Sequence, residues 1–167
     1  MIAVEQILDK IGIRLADELR NAIKTKLLTR QSVSRGRFQS VANASGKLID
    51  SVEYKVEGAR LTISAWDYIY YLEKGRGPTK GGGNGSLRQI IRQWIDDKGI
   101  TPDGISKDSL AYLITRRIHE EGTTIYQAGG SDLVSSIFNE QLVNSIEAEF
   151  ANLIAAEVSS EIVDIAA

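Results

Sequence analysis

Apolar residues recur at steps of three and four from Val4 to Leu27: Val4, Ile7, Leu8, Ile11, Leu15, Leu19, Ala22, Ile23 and Leu27. Polar residues fill the opposite face, so the pattern predicts an amphipathic helix over residues 1–29. At 1.5 Å per residue such a helix spans roughly 40 Å, long for a small domain, and one end is expected to project or to pack on a neighbour. The period breaks over residues 30–46, "RQSVSRGRFQSVANASG", a polar stretch rich in small residues that reads as a mobile loop. Period two then takes over. Leu48, Val52, Tyr54 and Val56 fall at even offsets, as do Leu61, Ile63 and Ala65, with Gly58 for the turn. A β-hairpin over residues 47–66 is expected.

Tyr68 to Leu72 is a continuous apolar and aromatic run. It fits a third strand, or one or two helical turns capped by Asp67 and stopped by Gly75. Both readings stay open, with the short helix preferred. A Gly-rich loop over 75–86 follows, then two helices over 86–122. Ser86 is the expected N-cap of the first, Leu87, Ile90, Ile91, Trp94 and Ile95 form its apolar face, and Gly99 ends it. The second starts near Lys107 or Asp108 and stops at Gly122. A polar loop with Gly129 and Gly130 leads to a final long helix over 131–165, capped by Ser131 or Asp132. The order of helix, strands and helices predicts an α+β fold: a small antiparallel β-sheet packed with helices, with long N-terminal and C-terminal helices. A length of 167 residues suits a single domain, residues 1–167, with one core.

The net charge of −2 does not advertise nucleic-acid binding, but its distribution is uneven. Residues 1–37 hold eight Lys and Arg against four Asp and Glu; residues 131–167 hold seven Asp and Glu and no Lys or Arg. A basic head and an acidic tail can pair within one molecule or between neighbours. Cysteine is absent, which excludes disulfides and thiolate metal sites. The first twenty residues contain acids and no uninterrupted apolar run, so neither a signal peptide nor a membrane span is expected there.

Catalytic motifs fail on inspection. A triphosphate cradle needs G-x-x-x-x-G-K-[ST], because backbone N–H groups and the lysine must converge on phosphate. Lys80 is followed by Gly81, and "SGKL" at 45–48 also lacks the hydroxyl. In "GRGPTK" a lysine stands where the dinucleotide fingerprint needs its last glycine. Glycines ahead of a helix N-terminus can still hold an anion, which leaves Gly81–Ser86 as a candidate anion site. His119 is the sole histidine, and a zinc site built on one histidine without cysteine would be poor. No G-x-S-x-G elbow presents a serine. Asp96/Asp97 and Glu120/Glu121 are adjacent pairs, which diverge by about 100° on a helix and face no common site. No catalytic residue, metal or cofactor is assigned.

The order of motifs does carry a resemblance. After the long first helix come "SGKLIDSV", "WDYIYYLEKGRGP", "LRQIIRQWIDDKGI", "LAYLITRRIHEEGTTIYQAG" and a last helix opening with "DLVSSIF". Over roughly residues 1–145 this resembles the tail-completion or neck proteins of tailed bacteriophages, a head–tail joining family. The tyrosine–x–glutamate–x–glycine segment of that family matches Tyr71-Leu72-Glu73-Lys74-Gly75, and its helix with Trp before a Lys-Gly stop matches Trp94 and Lys98-Gly99. The arginine-rich stretch at 30–37 and the long acidic tail after Phe150 depart from the family pattern. The resemblance implies a structural virion protein of the neck or tail, assembled in the host cytoplasm and without enzyme activity. It would close into a homo-oligomeric ring between portal, connector or tail proteins, and DNA would pass through the lumen without sequence-specific binding; no membrane is involved. Residues expected at partner contacts are Arg30, Arg35, Arg37, Tyr68, Tyr71, Glu73, Arg76, Lys80, Gly81 and Gly83. The alternative is a small nucleic-acid-binding or processing protein that uses the Arg-rich and Gly-rich loops.

Overall fold

The computed structural model describes residues 4–32, 36–79 and 85–166. In chain order the elements are α1 (Val4–Thr25), β1 (Leu27–Ser32), β2 (Gly36–Val41), α2 (Lys47–Asp50), β3 (Glu53–Glu57), β4 (Arg60–Ser64), α3 (Tyr68–Lys74), α4 (Ser86–Asp97), α5 (Lys107–Glu121), α6 (Thr124–Gln127) and α7 (Glu140–Ala166). The fold is α+β, with long first and last helices and antiparallel strand pairs. The expected single domain resolves into two compact units. One comprises Met1–Asn21, Val52–Ala65 and Val134–Ala167; the other comprises Ala22–Ser51 and Trp66–Leu133.

The first unit is built on the apolar stripe of α1. Ile7, Ile11 and Leu15 are buried, and Leu61, Ile63, Ile137, Leu142, Ile146, Phe150 and Leu153 pack against them. The hairpin β3–β4 pairs Tyr54 with Ile63 and Val56 with Leu61. These four are half-buried while Glu53, Lys55, Thr62 and Ser64 are exposed, the alternation that a one-sided sheet requires. Arg14 Nη1 reaches Glu149 Oε1 at 2.5 Å, and Arg20 Nη2 donates to the Val52 carbonyl at 2.6 Å.

Gly12 sits in mid-helix, where glycine costs about 1 kcal/mol relative to alanine. Its missing side chain makes room: a Cβ there would lie 2.5 Å from Cδ2 of Tyr54 and 2.9 Å from Cδ1 of Leu61. The Tyr54 ring is tethered as well, because its hydroxyl donates to Asp9 Oδ1 at 3.0 Å, one helical turn before Gly12. That bond, reinforced by burial and by the negative charge of Asp9, holds the phenol above its ordinary value of 10.0. Close seating of the hairpin thus offsets a poor helix former.

The second unit holds the pair β1–β2, which runs in register from Leu27↔Val41 to Ser32↔Gly36. This replaces the mobile loop expected over 30–46, and it also shortens the first helix, expected to reach residue 29. Lys26 N–H closes the last turn of α1 on the Ala22 carbonyl, and Ala42 N–H then bonds the Lys26 carbonyl at 2.9 Å. Pairing with a distant segment wins over the helical period. The strands were hidden because Thr29, Gln31, Gln39 and Ser40 give them no apolar alternation.

Three other boundaries move. Residues 47–50, expected at the start of a strand, form a helical turn after Gly46 at φ 85°, and Leu48 is buried as part of it. The expected loop at 123–130 contains α6, whose cap is Thr123. The last helix begins at Glu140, not at 131. Asp132 adopts φ 53°, residues 133–137 form turns, and Asn139 Oδ1 accepts from Leu142 N–H at 3.0 Å. At α4 the cap position belongs to Gly85, with Ser86 the first helical residue. Residues 68–74 are helical and Gly75 ends them, as preferred from sequence.

Replacing Gly12 by Ala should lower the stability of the chain by about 1–3 kcal/mol despite the better helix propensity, because the new methyl overpacks the tethered ring. Denaturant unfolding checks this; a more stable G12A chain would show that the seat is slack.

Candidate functional site

The second unit carries a dense aromatic row. Trp66 and Tyr70 are 58% and 62% exposed, and Tyr68 and Tyr71 are also exposed. Tyr70 and Tyr71 meet edge to face, with centroids 5.8 Å apart. The helix α3 orients them: Leu72 and Glu73 point inward, and Glu73 is only 7% exposed. Leu72, Glu73 and Gly75 of the "YLEKG" motif are therefore internal while its tyrosine is exposed.

The backbone after α3 is locked onto the segment after α5. Arg76 N–H donates to Thr123 Oγ1 at 2.9 Å, and Thr123 N–H donates back to the Arg76 carbonyl at 2.8 Å. Thr79 N–H bonds the His119 carbonyl at 3.0 Å. Ser131 N–H bonds the Glu73 carbonyl at 2.9 Å, and its hydroxyl bonds the Leu72 carbonyl at 2.6 Å. Thr123 Oγ1 also accepts from Tyr126 N–H, so one hydroxyl caps α6 and pins Arg76.

Gly75 and Gly122 make this approach possible. Both end a helix, at φ 75°, ψ 177° and φ 79°, ψ 179°. That region is essentially restricted to glycine. A Cβ at Gly75 would stand 2.2 Å from the Tyr126 backbone nitrogen; one at Gly122 would stand 2.9 Å from the Arg76 carbonyl oxygen. The ring of Tyr126 lies over Gly77, whose Cβ would be 3.1 Å from it.

A shallow groove of about 460 Å³ borders α4, lined by Arg88, Gln89, Arg92, Gln93, Asp96 and Asp108. Its two carboxylates are already matched. Arg92 pairs with Asp96 and, at 3.3 Å, with Asp108, while Lys107 Nζ sits 2.8 Å from Asp96. The hydrogen bond from Lys107, aided by Arg92, holds the Asp96 carboxyl below its ordinary value. Arg88 lies over the ring of Tyr112 at 5.7 Å. Asp97, Glu120 and Glu121 are likewise engaged by Gln93, Arg116 and Arg117 along their own helices. Among the described residues, no group of three or more His, Asp and Glu comes together as a metal site.

The residues expected at partner contacts fall in different places. Tyr68 and Tyr71 lie in the exposed row. Glu73 is buried, and Arg76 is half-buried with both backbone groups bonded. Arg30 and Arg37 occupy β1 and β2, opposite Phe38 and Gln31 in the register. Arg35, Lys80, Gly81 and Gly83 lie outside the described residues, as does most of the Gly81–Ser86 anion candidate. Residues 75–79, expected as part of a loop awaiting a partner, already have one within the unit. Sequence reasoning missed Trp66, Tyr126 and the docking of 122–131. The signal was the recurrence of glycine where two helices end.

No family model matches the chain, and no curated protein or solved structure matches it either. Among the described residues no helix is long and apolar enough to cross a membrane.

Gly75→Ala should cost about 2–4 kcal/mol, combining the strain of a glycine-only backbone conformation with backbone overlap. Thermal or denaturant unfolding of G75A measures this; a loss below about 1 kcal/mol, the usual effect of a single substitution, would mean that the lock is not a fixed element.

Proposed function

We propose that this chain is a structural subunit of a tailed-phage virion, a ring-forming head–tail connector, neck or tail-completion protein through which DNA passes. The observation that carries the reading is the exposure of Trp66, just before α3, and of Tyr68, Tyr70 and Tyr71 on α3, a helix whose C-terminal end is fixed by backbone bonds. Tyrosine and tryptophan are the residues that anchor protein interfaces, and a rigid platform spares the ordering cost of binding. The row opens the very segment that resembles the neck family. A ring is a head-to-tail assembly closed by rotation, so each copy needs two different sticky surfaces. A second surface exists on α7, where Val143, Ile154 and Val158 are exposed beside the stripe packed on α1.

In mass photometry the purified chain, or the chain mixed with a portal complex, should give a discrete ring-sized species. The double substitution Trp66→Ala, Tyr70→Ala should weaken that assembly by tenfold or more, the loss of about 1.4 kcal/mol that a single hot-spot residue exceeds, without changing the folded spectrum. A chain that remains single both alone and with portal rules the reading out.

One observation favours the nucleic-acid alternative. Between Glu18 and Asp50 there are seven Lys and Arg and no acid, and the stretch contains β1–β2, a two-stranded ribbon of a kind that fits a DNA groove. If that reading holds, DNA affinity will start tight and fall steeply with salt, with a log–log slope of about −0.9 per phosphate contacted. Weak binding with a flat salt response discards it.

A further inference from the structure

The hairpin β3–β4 is a sheet of two strands, and among the described residues neither strand has a second strand partner. The two-residue turn Gly58–Ala59 makes Glu57↔Arg60 the closing pair. A closing pair exchanges both of its backbone hydrogen bonds, and exchange then alternates along the ladder. Glu57↔Arg60, Lys55↔Thr62 and Glu53↔Ser64 therefore bond inward. The N–H and C=O groups of Tyr54 and Val56 point out from one edge, and those of Leu61 and Ile63 from the other. Among the described residues nothing bonds these outward groups. Such an edge is a ready template for a further strand, and a two-stranded sheet gains stability by widening.

Side chains decide which strand fits. Leu61 and Ile63 pack on the α1 seam, while Glu53, Lys55, Glu57, Arg60, Thr62 and Ser64 are exposed on the opposite face. Antiparallel pairing of one β3 edge with another, centred on Lys55, sets Lys55 against Lys55 and Glu53 against Glu57. Like charges directly opposite oppose that pairing. A β4 edge against a β3 edge meets no such conflict. With Leu61 opposite Val56 and Ile63 opposite Tyr54, each pair exchanges both backbone bonds and all four side chains stay on one face. Arg60 then stands opposite Glu57. Within one copy Glu57 bridges to Lys55 on its own strand, and among the described residues Arg60 has no ion pair. Two β4 edges could also meet, with Thr62 opposite Thr62, but that leaves both β3 edges open and gives Arg60 no carboxylate.

We infer that the β4 edge of one copy pairs antiparallel with the β3 edge of the next, in the register that sets Arg60 against Glu57. The inference rests on the ring reading and adds a backbone junction to it. Two different edges meet, so the contact is head-to-tail, the kind that propagates or closes. Successive hairpins form one continuous antiparallel sheet, and a closed ring leaves none of its edges open. The alternation that seats each hairpin on its own α1 runs across every junction, so the helices stay on one side of the sheet.

The chain has no cysteine, so single introduced cysteines report the junction. Three variants carry one each at exposed positions: Lys55→Cys, Thr62→Cys and Ser64→Cys. They are mixed in pairs, one of each pair tagged for mass, under mild oxidation and the condition in which the wild type assembles. Residues 62 and 55 of adjacent copies are directly opposed, ~4.5–5.5 Å apart at Cβ, close enough for a disulfide. T62C with K55C should therefore give a crosslink between the two different chains. S64C with K55C is a diagonal pair at ~7–8 Å and should react about tenfold more slowly. Each variant should keep the wild-type helical spectrum; Arg60→Cys with Glu57→Cys, the neighbouring opposed pair, replaces an arm that does not. T62C that crosslinks to itself as fast as to K55C overturns the inference in favour of a two-fold β4 contact. Equal rates in all arms overturn it as mere collision. Assemblies that form in mass photometry without the crosslink overturn it and leave the ring reading standing. A wild-type chain that stays single, alone and with portal, removes both.

Discussion

The close passage of backbone 73–79 beside backbone 119–131 governs the second unit. Two peptide chains can come that near only where neither carries a Cβ in the way, and Gly75 and Gly122 meet that condition in the same unusual conformation. The reciprocal bonds between Arg76 and Thr123 then satisfy polar groups that helix ends leave open. Because α3 is tied at its C-terminal end, its rotation is set. Leu72 and Glu73 are buried, while Tyr68, Tyr70 and Tyr71 remain exposed. Exposed aromatic side chains so close together in sequence are an uncommon surface for a single chain.

Elements with a strong period were legible in the sequence. The stripe of α1, the alternation of β3 and β4, and the apolar faces of α4 and α5 all announce themselves. What escaped was structure without an apolar signal. The β1–β2 pair is polar along most of its length, so nothing local separates it from a loop; its existence depends on cross-strand pairing that runs from Ser32↔Gly36 out to Leu27↔Val41. The start of α7 was misplaced because Leu133, Val134 and Ile137 continue an apolar rhythm through a segment whose backbone turns at Asp132. The candidate site was half legible. Tyr68 and Tyr71 could be picked from sequence, but the burial of Glu73, whose carbonyl is held by Ser131 N–H, is a long-range fact.

Charge and apolar surface are distributed with a common logic. The groups that could be mistaken for chemistry, such as Asp96, Asp97, Glu120 and Glu121, are spent on their own helices or on the α4–α5 pair. Exposed pairs of that kind add little stability, and their main effect is to keep those faces neutral and wet. The uneven sign lies elsewhere in the sequence, basic between residues 19 and 49 and acidic beyond 130, although Arg20 pairs with Asp17 and Glu149 with Arg14.

The first unit is stitched from three stretches of chain that are far apart in sequence. Its nucleus, the seam of Ile7, Ile11 and Leu15, is translated first but cannot close until Leu142, Ile146 and Phe150 have left the ribosome. The second unit needs nothing beyond Leu133. Synthesis therefore imposes an order of maturation: the later-starting unit is complete while the earliest helix still waits with an open seam. A nascent chain interrupted near residue 135 would carry one finished body and one greasy, unclosed rod, the kind of product that chaperones retain.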